Sequence, residues 1–349
     1  MTEELLSITG LEVRFRHPRD RRRVIHAVDD IDIRVRRGEV VGLVGESGSG
    51  KSTIGRCVLG LEQPQSGSIV FDGIELTSHG RLRSRRELAS NLQVVFQDPY
   101  SSLNPHRTIG QALAEPFLER NPSMRSDADE KARMVLSQVG LPSEALDRYP
   151  SQFSGGQRQR IGIARALMLD PSLIICDEAV SALDLSTQAQ VLNLLRELSR
   201  DRGLAYLFIA HDLDVVRYIA DRTVVLYRGR IMEEGPSDAI HDAPLHPYTA
   251  ALLESAPIVD PAAQRAKREA RAGRAASKPS GPATGHAGCP FAARCPVVEE
   301  VCAVARPRDS RVGDRTVACH RYDPDSSYPA ESGLSPATAG PSRTPASAG

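Results

Sequence analysis

Apolar and polar positions divide this chain into stretches of two kinds. Val40 to Val44, Leu173 to Cys176 and Leu204 to Ala210 are short unbroken apolar runs, the pattern of buried strands. Residues 7–35 instead alternate, most clearly where Ile31, Ile33 and Val35 are set against Asp32, Arg34 and Arg36, and Arg37-Gly38 then turns the chain. That alternation predicts an antiparallel sheet leading into the first apolar strand. Ile54, Val58 and Leu61 follow that strand at helical spacing, Gly67 to Gly73 reads as another short strand, and Leu92 to Phe96 runs apolar up to Gln97. From Tyr100 to Pro150 the texture is polar and punctuated by proline, with a helix over Asp127 to Val139 whose Ala132, Val135, Leu136 and Val139 share a face. We read this region as a helical insertion. Two more helices follow, one after Phe153 that runs through Leu169 and is stopped by Asp170-Pro171, and one that runs to Arg202. The second buries Val191, Leu194, Leu195 and Leu198 and takes Gly203 as its C-cap.

Composition narrows the picture in two ways. With 44 basic and 44 acidic residues in 349 the net charge is zero, which argues against nucleic acid as the main partner. The chain exceeds one ordinary domain, so one large α/β domain with appendages is expected. No run reaches the roughly eighteen apolar residues of a membrane span, and Met1-Thr2-Glu3-Glu4 lacks the basic start of a secretory signal; a cytoplasmic location is the expectation.

The chemistry gathers at strand ends. Gly45-Glu46-Ser47-Gly48-Ser49-Gly50-Lys51-Ser52-Thr53 matches G-x-x-x-x-G-K-[ST] between a buried strand and a helix, where a phosphate-binding loop must sit. Glycine lets the backbone amides curl round phosphates, the helix N-terminus adds its positive pole, Lys51 brings a mobile charge and Ser52 a hydroxyl for Mg²⁺. Leu173 to Cys176 ends in Asp177-Glu178, a doubled charge that is costly unless solvated or bound to metal. Asp177 suits the Mg²⁺ shell, and Glu178 suits orienting and deprotonating an attacking water. Gln97 and His211 also close strands at their carboxyl ends, where ligands collect in open α/β sheets, so the first is assigned to Mg²⁺ or water and the second to a γ-phosphate. Ser154-Gly155-Gly156-Gln157 opens a helix as a second anion cradle with no lysine of its own. One lysine for two phosphate-facing helix starts implies that two copies share each nucleotide. Phe15, upstream in an extended segment, is the candidate for stacking on an adenine ring, with plain packing as the alternative.

Taken in order, the loop, Gln97, Ser-Gly-Gly-Gln, Asp177-Glu178, Asp184 and His211 resemble the nucleotide-binding subunit of an ABC transporter over roughly residues 5–255. Val95 to Pro105, the Phe-Ser-Gly-Gly-Gln-Arg-Gln-Arg run and His246-Pro247-Tyr248-Thr249 narrow the resemblance to the ATPases of oligopeptide and dipeptide importers, and within them to the second of the two ATPases such systems carry. Phe153 stands where most ABC proteins have Leu, a change that the peptide-importer relatives often accept. The resemblance implies an α/β fold of the P-loop ABC type, with a mixed-sheet core, an antiparallel β subdomain, a helical subdomain over about 100–168 and a small Cys-rich C-terminal module. It also implies that ATP and Mg²⁺ are bound, that Ser154, Gly155, Gly156, Gln157 and Asp184 face the partner's nucleotide, and that the partners are a second ATPase chain, two membrane permeases and, indirectly, a solute-binding protein. It places the protein peripherally on the cytoplasmic face of the membrane. Import of nickel, glutathione or another small solute by the same architecture, or a role in a phosphonate-degrading complex, stays open beside peptide import. An ABC ATPase acting on DNA or ribosomes would carry coiled-coil or zinc-hook insertions, or two cassettes in one chain, and neither is present.

Of six cysteines, Cys57 and Cys176 lie in apolar stretches and read as core residues. Residues 257–287 form an Ala/Arg/Lys/Gly/Pro-rich linker, 288–322 a cysteine-bearing module, and the tail from Asp323 reads as disordered. Cys289, Cys295, Cys302 and Cys319 sit in a segment too poor in large apolar residues to make its own core. A cytoplasmic chain disfavours disulfides, which leaves a metal staple, and the spacing allows Zn²⁺ or a [4Fe–4S] cluster. The resemblance to peptide-importer ATPases puts the cluster first and zinc second.

Overall fold

The computed structural model describes residues 3–16, 20, 24–77, 90–98, 103–255 and 287–328. All but the last residue of the linker expected at 257–287, and most of the expected tail, lie outside these residues. The chain divides into two compact units, Met1–Ser237 and Asp238–Gly349, and in the second the helix that precedes residue 256 packs with the cysteine module.

In the first unit, β1 (Glu4–Arg16) and β2 (Val24–Arg36) pair antiparallel, and β4 (Ser66–Phe71) and the short β5 (Ile74–Glu75) extend this sheet in the order β2-β1-β4-β5. The alternation in β2 is realised directly: Ile31, Ile33 and Val35 are buried, and Asp32, Arg34 and Arg36 are exposed. The second sheet runs β9 (Arg222–Tyr227), β3 (Val40–Val44), β8 (Ala205–Ala210), β7 (Leu173–Asp177) and β6 (Leu92–Val95), all parallel, with β10 (Arg230–Pro236) antiparallel on the β9 edge. Every residue of β3 and β8 is buried, which is why these strands read as unbroken apolar runs.

Helix α1 (Lys51–Val58) contributes Ile54, Cys57 and Val58 to one core that also takes Leu6, Ile8 and Leu11 of β1, Ile31 and Ile33 of β2, and Ile175, Leu207 and Ile209 of the parallel sheet. Burial of a side chain of this size contributes about 1.5–3 kcal/mol, so this cluster fixes α1 and the loop before it. Leu61 corrects the expected helix face. Helix α1 has ended by then, and Leu61 is 66% exposed. Arg222 ties the layers at their edge, with its guanidinium on Glu39 (2.9 Å), Glu234 and the Arg34 carbonyl.

The helical insertion is present as α2 (Ile109–Arg120), α3 (Arg125–Gln138) and α4 (Gly155–Leu167). Ala132, Val135 and Leu136 on α3 are buried as their spacing requires. Helix α5 (Leu185–Arg202) buries Val191, Leu194, Leu195 and Leu198 and ends at Gly203 in the left-handed conformation (φ 66°). A short α6 (Leu213–Ile219) follows β8.

The second unit contains α7 (Ser237–Asp242), of which all but its first residue belongs here, α8 (Pro247–Ser255), α9 (Glu300–Val304) and a hairpin of β11 (Asp309–Val312) with β12 (Arg315–Ala318). Its core is larger than expected because α8 supplies Tyr248, whose ring lies 5.4 Å from that of the buried Phe291. Arg315 donates to the Ala239 and Ala243 carbonyls, tying the hairpin to α7. The module also extends past the expected limit at Tyr322: Ser326 Oγ meets His320 Nδ1 at 3.0 Å, and the Tyr328 hydroxyl donates to the Val297 carbonyl at 2.8 Å.

Candidate functional site

The parallel strands deliver the site from their carboxyl ends. Register places Val44 beside Ala210, Asp177 beside Ile209 and Val95 beside Cys176, so the segments carrying the phosphate loop, His211, Glu178 and Gln97 leave the carboxyl end of the sheet together.

Lys51 is 4% exposed and folds across the loop, donating to the carbonyls of Gly45 (2.7 Å) and Glu46 (3.1 Å) and to Ser49 Oγ (3.4 Å). Burial pushes its ammonium below the ordinary lysine range, and the charges of Glu178 and Asp177 pull it back up. Ser52 Oγ donates to Asp177 Oδ1 at 2.8 Å, joining two positions 125 residues apart in the chain. A hydroxyl and a carboxylate in contact form the hard-oxygen pair that Mg²⁺ prefers. The loop needs glycine at Gly50, which has φ 106° and where a Cβ would lie 2.3 Å from the Ala27 carbonyl.

Glu178 follows β7 with φ 50°, an uncommon conformation for a side-chain-bearing residue, and its N–H donates to the Ile209 carbonyl at 3.0 Å. Ser181 Oγ donates to the Glu178 carbonyl. The turn that presents the carboxylate is thereby held from both sides. Gln97 and His211 are exposed beyond their strands. Gln97 does not itself end the strand, because β6 stops at Val95, and the intervening Phe96 carbonyl accepts from Gln159 Nε2 of α4 at 3.3 Å. Buried Gln159 was missed in the sequence, since a Gln on a helix face carries no signal of its distant partner. Phe15, opposite Ile25 in the β1–β2 pair, is 37% exposed near the open end of the antiparallel sheet.

Ser154 caps α4 with a reciprocal capping box: its hydroxyl accepts from Gln157 N–H, and the Gln157 side chain accepts from Ser154 N–H. The Gln157 N–H is thereby used by the cap, which leaves Gly155 and Gly156 to carry the first amides of the helix. Gly156 is also where α4 meets α5, since a Cβ there would lie 2.1 Å from Thr187 Cγ2. The Thr187 hydroxyl donates to Asp184 Oδ2 at 2.7 Å and its N–H to Oδ1 at 3.0 Å, with Ser186 Oγ on Oδ1 at 2.6 Å. These hydrogen bonds hold the exposed Asp184 carboxyl well below the usual carboxylate range. Asp184 and the Gly155-Gly156 turn are thus linked through one threonine, a contact that sequence spacing does not reveal. Phe153 is buried with the Arg148 guanidinium 4.4 Å from its ring centre, which accommodates the larger side chain.

In the second unit, Cys289, Cys295, Cys302 and Cys319 line one cavity together with His246, His320 and Tyr328. None of the four forms a disulfide, and burial pushes Cys289 up to about 11 and Cys295 up to about 12. Among the described residues no three Cys, His, Asp or Glu side chains stand at metal-holding geometry. Both nitrogens of His320 are engaged, Nε2 with the Ala305 carbonyl (2.9 Å) and Nδ1 with Ser326.

Known proteins resemble this chain over most of its length. Residues 28–181 match the family described as ABC transporter, and residues 232–302 the family described as oligopeptide/dipeptide transporter, C-terminal region. A protein of Brucella ovis named for peptide import and ATP binding is 48% identical over 309 residues, covering 88% of this chain and 95% of its own length. A similarly named protein of Brucella abortus is 46% identical over 305 residues, covering 87% and 89%. Among solved structures, cbiO1 of Clostridium perfringens, part of the ABC transporter complex cbiONQ, superimposes with a TM-score of 0.60 at 26% identity, covering 68% of this chain and 91% of that one. The cassette MJ0796, solved as a dimer in a post-hydrolysis state with ADP and Pi, gives a TM-score of 0.59 at 25% identity over 67% of this chain and 99% of that one.

Proposed function

The chain belongs to the ABC transporter ATP-binding family, and from that premise we propose that it is the ATPase subunit of a peptide importer, hydrolysing MgATP to power separate membrane permeases. The observation that carries this reading is the convergence of buried Lys51, the Ser52–Asp177 hydrogen bond and Glu178 at the carboxyl end of the sheet. The loop amides and Lys51 bind the β- and γ-phosphates. Ser52, Asp177 and Gln97 would hold Mg²⁺, which would offset the charge of the phosphate oxygens. Glu178 orients a water and takes its proton as the new P–O bond forms at the γ-phosphorus and the bond to ADP breaks, releasing phosphate. His211 contacts the γ-phosphate, and Phe15 stacks on the base. The Ser154-Gly155-Gly156-Gln157 turn and Asp184 complete the site of a second ATPase chain, which we assign as a different subunit.

Among the described residues no helix is long and apolar enough to cross a membrane. The permeases of this reading would hold the chain at the cytoplasmic face. The deciding experiment is affinity purification of the chain from detergent-solubilised membranes. Two permeases and a second ATPase should co-purify, and the complex should hydrolyse ATP in response to a peptide-loaded binding protein. A chain recovered without permeases would overturn the importer reading.

The cysteine cavity we assign to a [4Fe–4S] cluster, with Zn²⁺ as the second choice. Four thiols on one cavity fit either group by donor chemistry, and the group would staple the module rather than take part in hydrolysis. Anaerobic purification followed by iron, sulfide and zinc analysis tests this. Iron with sulfide supports the cluster, zinc alone rejects it, and neither ends the metal assignment.

A further inference from the structure

The phosphate loop is braced from behind by two segments that take no part in the chemistry described so far. The Gly229 N–H donates to the Ser49 carbonyl at 2.9 Å, and the Asp29 N–H donates to the Gly229 carbonyl at 2.8 Å. A short backbone ladder therefore runs from the loop, through the β9–β10 turn, to β2. The turn is tight. Arg228 (φ 48°) and Gly229 (φ 81°) both adopt left-handed backbone between the paired residues Tyr227 and Arg230, as a two-residue hairpin of type I′ requires. Packing behind the loop leaves no slack either, since a Cβ on Gly229 would lie 2.9 Å from the Ala27 carbonyl that already crowds Gly50.

One ion pair locks the ladder. Arg230 Nη2 donates to Asp29 Oδ2 at 2.5 Å, and the two side chains are 14% and 13% exposed. Withdrawing both charges from water brings little net stability, so a pair in this position is better understood as fixing register. The register it fixes joins two parts of the nucleotide site. Strand β2 carries Asp29 and also pairs with β1 through Ile25 opposite Phe15, while Arg230 begins the strand that follows the turn on Ser49.

We propose that Asp29 and Arg230 are positioning residues that set the spacing between the base platform carrying Phe15 and the phosphate loop, and so the preference for a nucleotide over a bare polyphosphate. The proposal rests on Phe15 as the base contact given under Proposed function.

The test measures Mg²⁺-dependent binding of ATP and of inorganic tripolyphosphate to the full chain by calorimetry. The double variant Asp29→Asn/Arg230→Gln removes both charges without stranding one, and Arg230→Lys keeps the charge but loses the planar fork. The readout is the ratio of the two affinities. Both ligands need the same folded loop, so partial loss of folded protein cancels from it. We expect the double variant to lose about five- to tenfold in ATP affinity with tripolyphosphate unchanged within about twofold, and Arg230→Lys to fall between it and the wild type. Parallel loss of both ligands would reduce the pair to a structural brace and overturn the proposal, as would no loss of either. Phe15→Ala in the same assay tests the underlying reading separately. If the ratio drops there, the base contact stands, and if it does not, that contact is overturned whatever the pair does.

Discussion

At Gly156 one missing methyl group decides how two helices meet. Thr187 fills the space where a Cβ would be, and its hydroxyl holds Asp184, so Gly156→Ala pushes on the same threonine that fixes the Asp184 turn. We expect that substitution to cost about 1–3 kcal/mol, read as a lowered Tm, and to depress hydrolysis in the assembled complex more than ATP binding. At the phosphate end, Glu178→Gln should keep MgATP binding and lose turnover by about 100-fold or more, whereas Lys51→Ala should weaken binding itself, a difference that equilibrium binding and single-turnover assays separate. Lys51 also sets a pH limit. Burial lowers its pKa from the ordinary 10.5, so the cation is lost as pH rises through the lowered value. ATP affinity should therefore begin to fall on the alkaline side before an exposed lysine would titrate, and a binding curve flat up to pH 10.5 would contradict this.

Among the elements, α4 and α5 begin with capped, exposed N-termini, and Leu185, the first residue of α5, is 77% exposed beside Asp184. A leucine so exposed suits the proposal that a second ATPase chain covers this surface. Leu185→Asp should leave ATP binding of the free chain within about twofold while reducing hydrolysis of the complex about tenfold or more, because it places an unpaired charge in that surface. By the same reasoning the isolated chain should be a poor ATPase, and full turnover from a demonstrably monomeric sample would rule out sharing. Elements were legible where one physical cause dominated. The alternation of β2 and the apolar runs of β3, β7 and β8 follow from burial of one face or both, and Gly203 ends α5 because the left-handed position there suits glycine. Leu61 and Gln97 were placed less well, because helix and strand ends depend on backbone hydrogen bonds that periodicity does not report.

For the whole molecule, the division at Ser237 means that His246 and Tyr248 belong with the cysteines. Cys295→Ser should lower metal content and expose residues around Phe291 to hydrogen exchange while leaving Lys51-dependent ATP binding within about twofold. Equal loss in both units would show that the two do not unfold separately.

Sequence alone determined the α/β class, the phosphate loop, the paired carboxylates and the family resemblance, because these rest on short contiguous patterns whose backbone geometry is set locally. Tertiary structure decided the rest. The Ser52–Asp177 bond, the Thr187 link from Gly156 to Asp184, the support of the Phe96 carbonyl by Gln159 and the Asp29–Arg230 pair each join positions brought together by strand register or helix packing. Contacts of this kind leave no period in the chain, since their partners are chosen by the fold and not by neighbours in sequence.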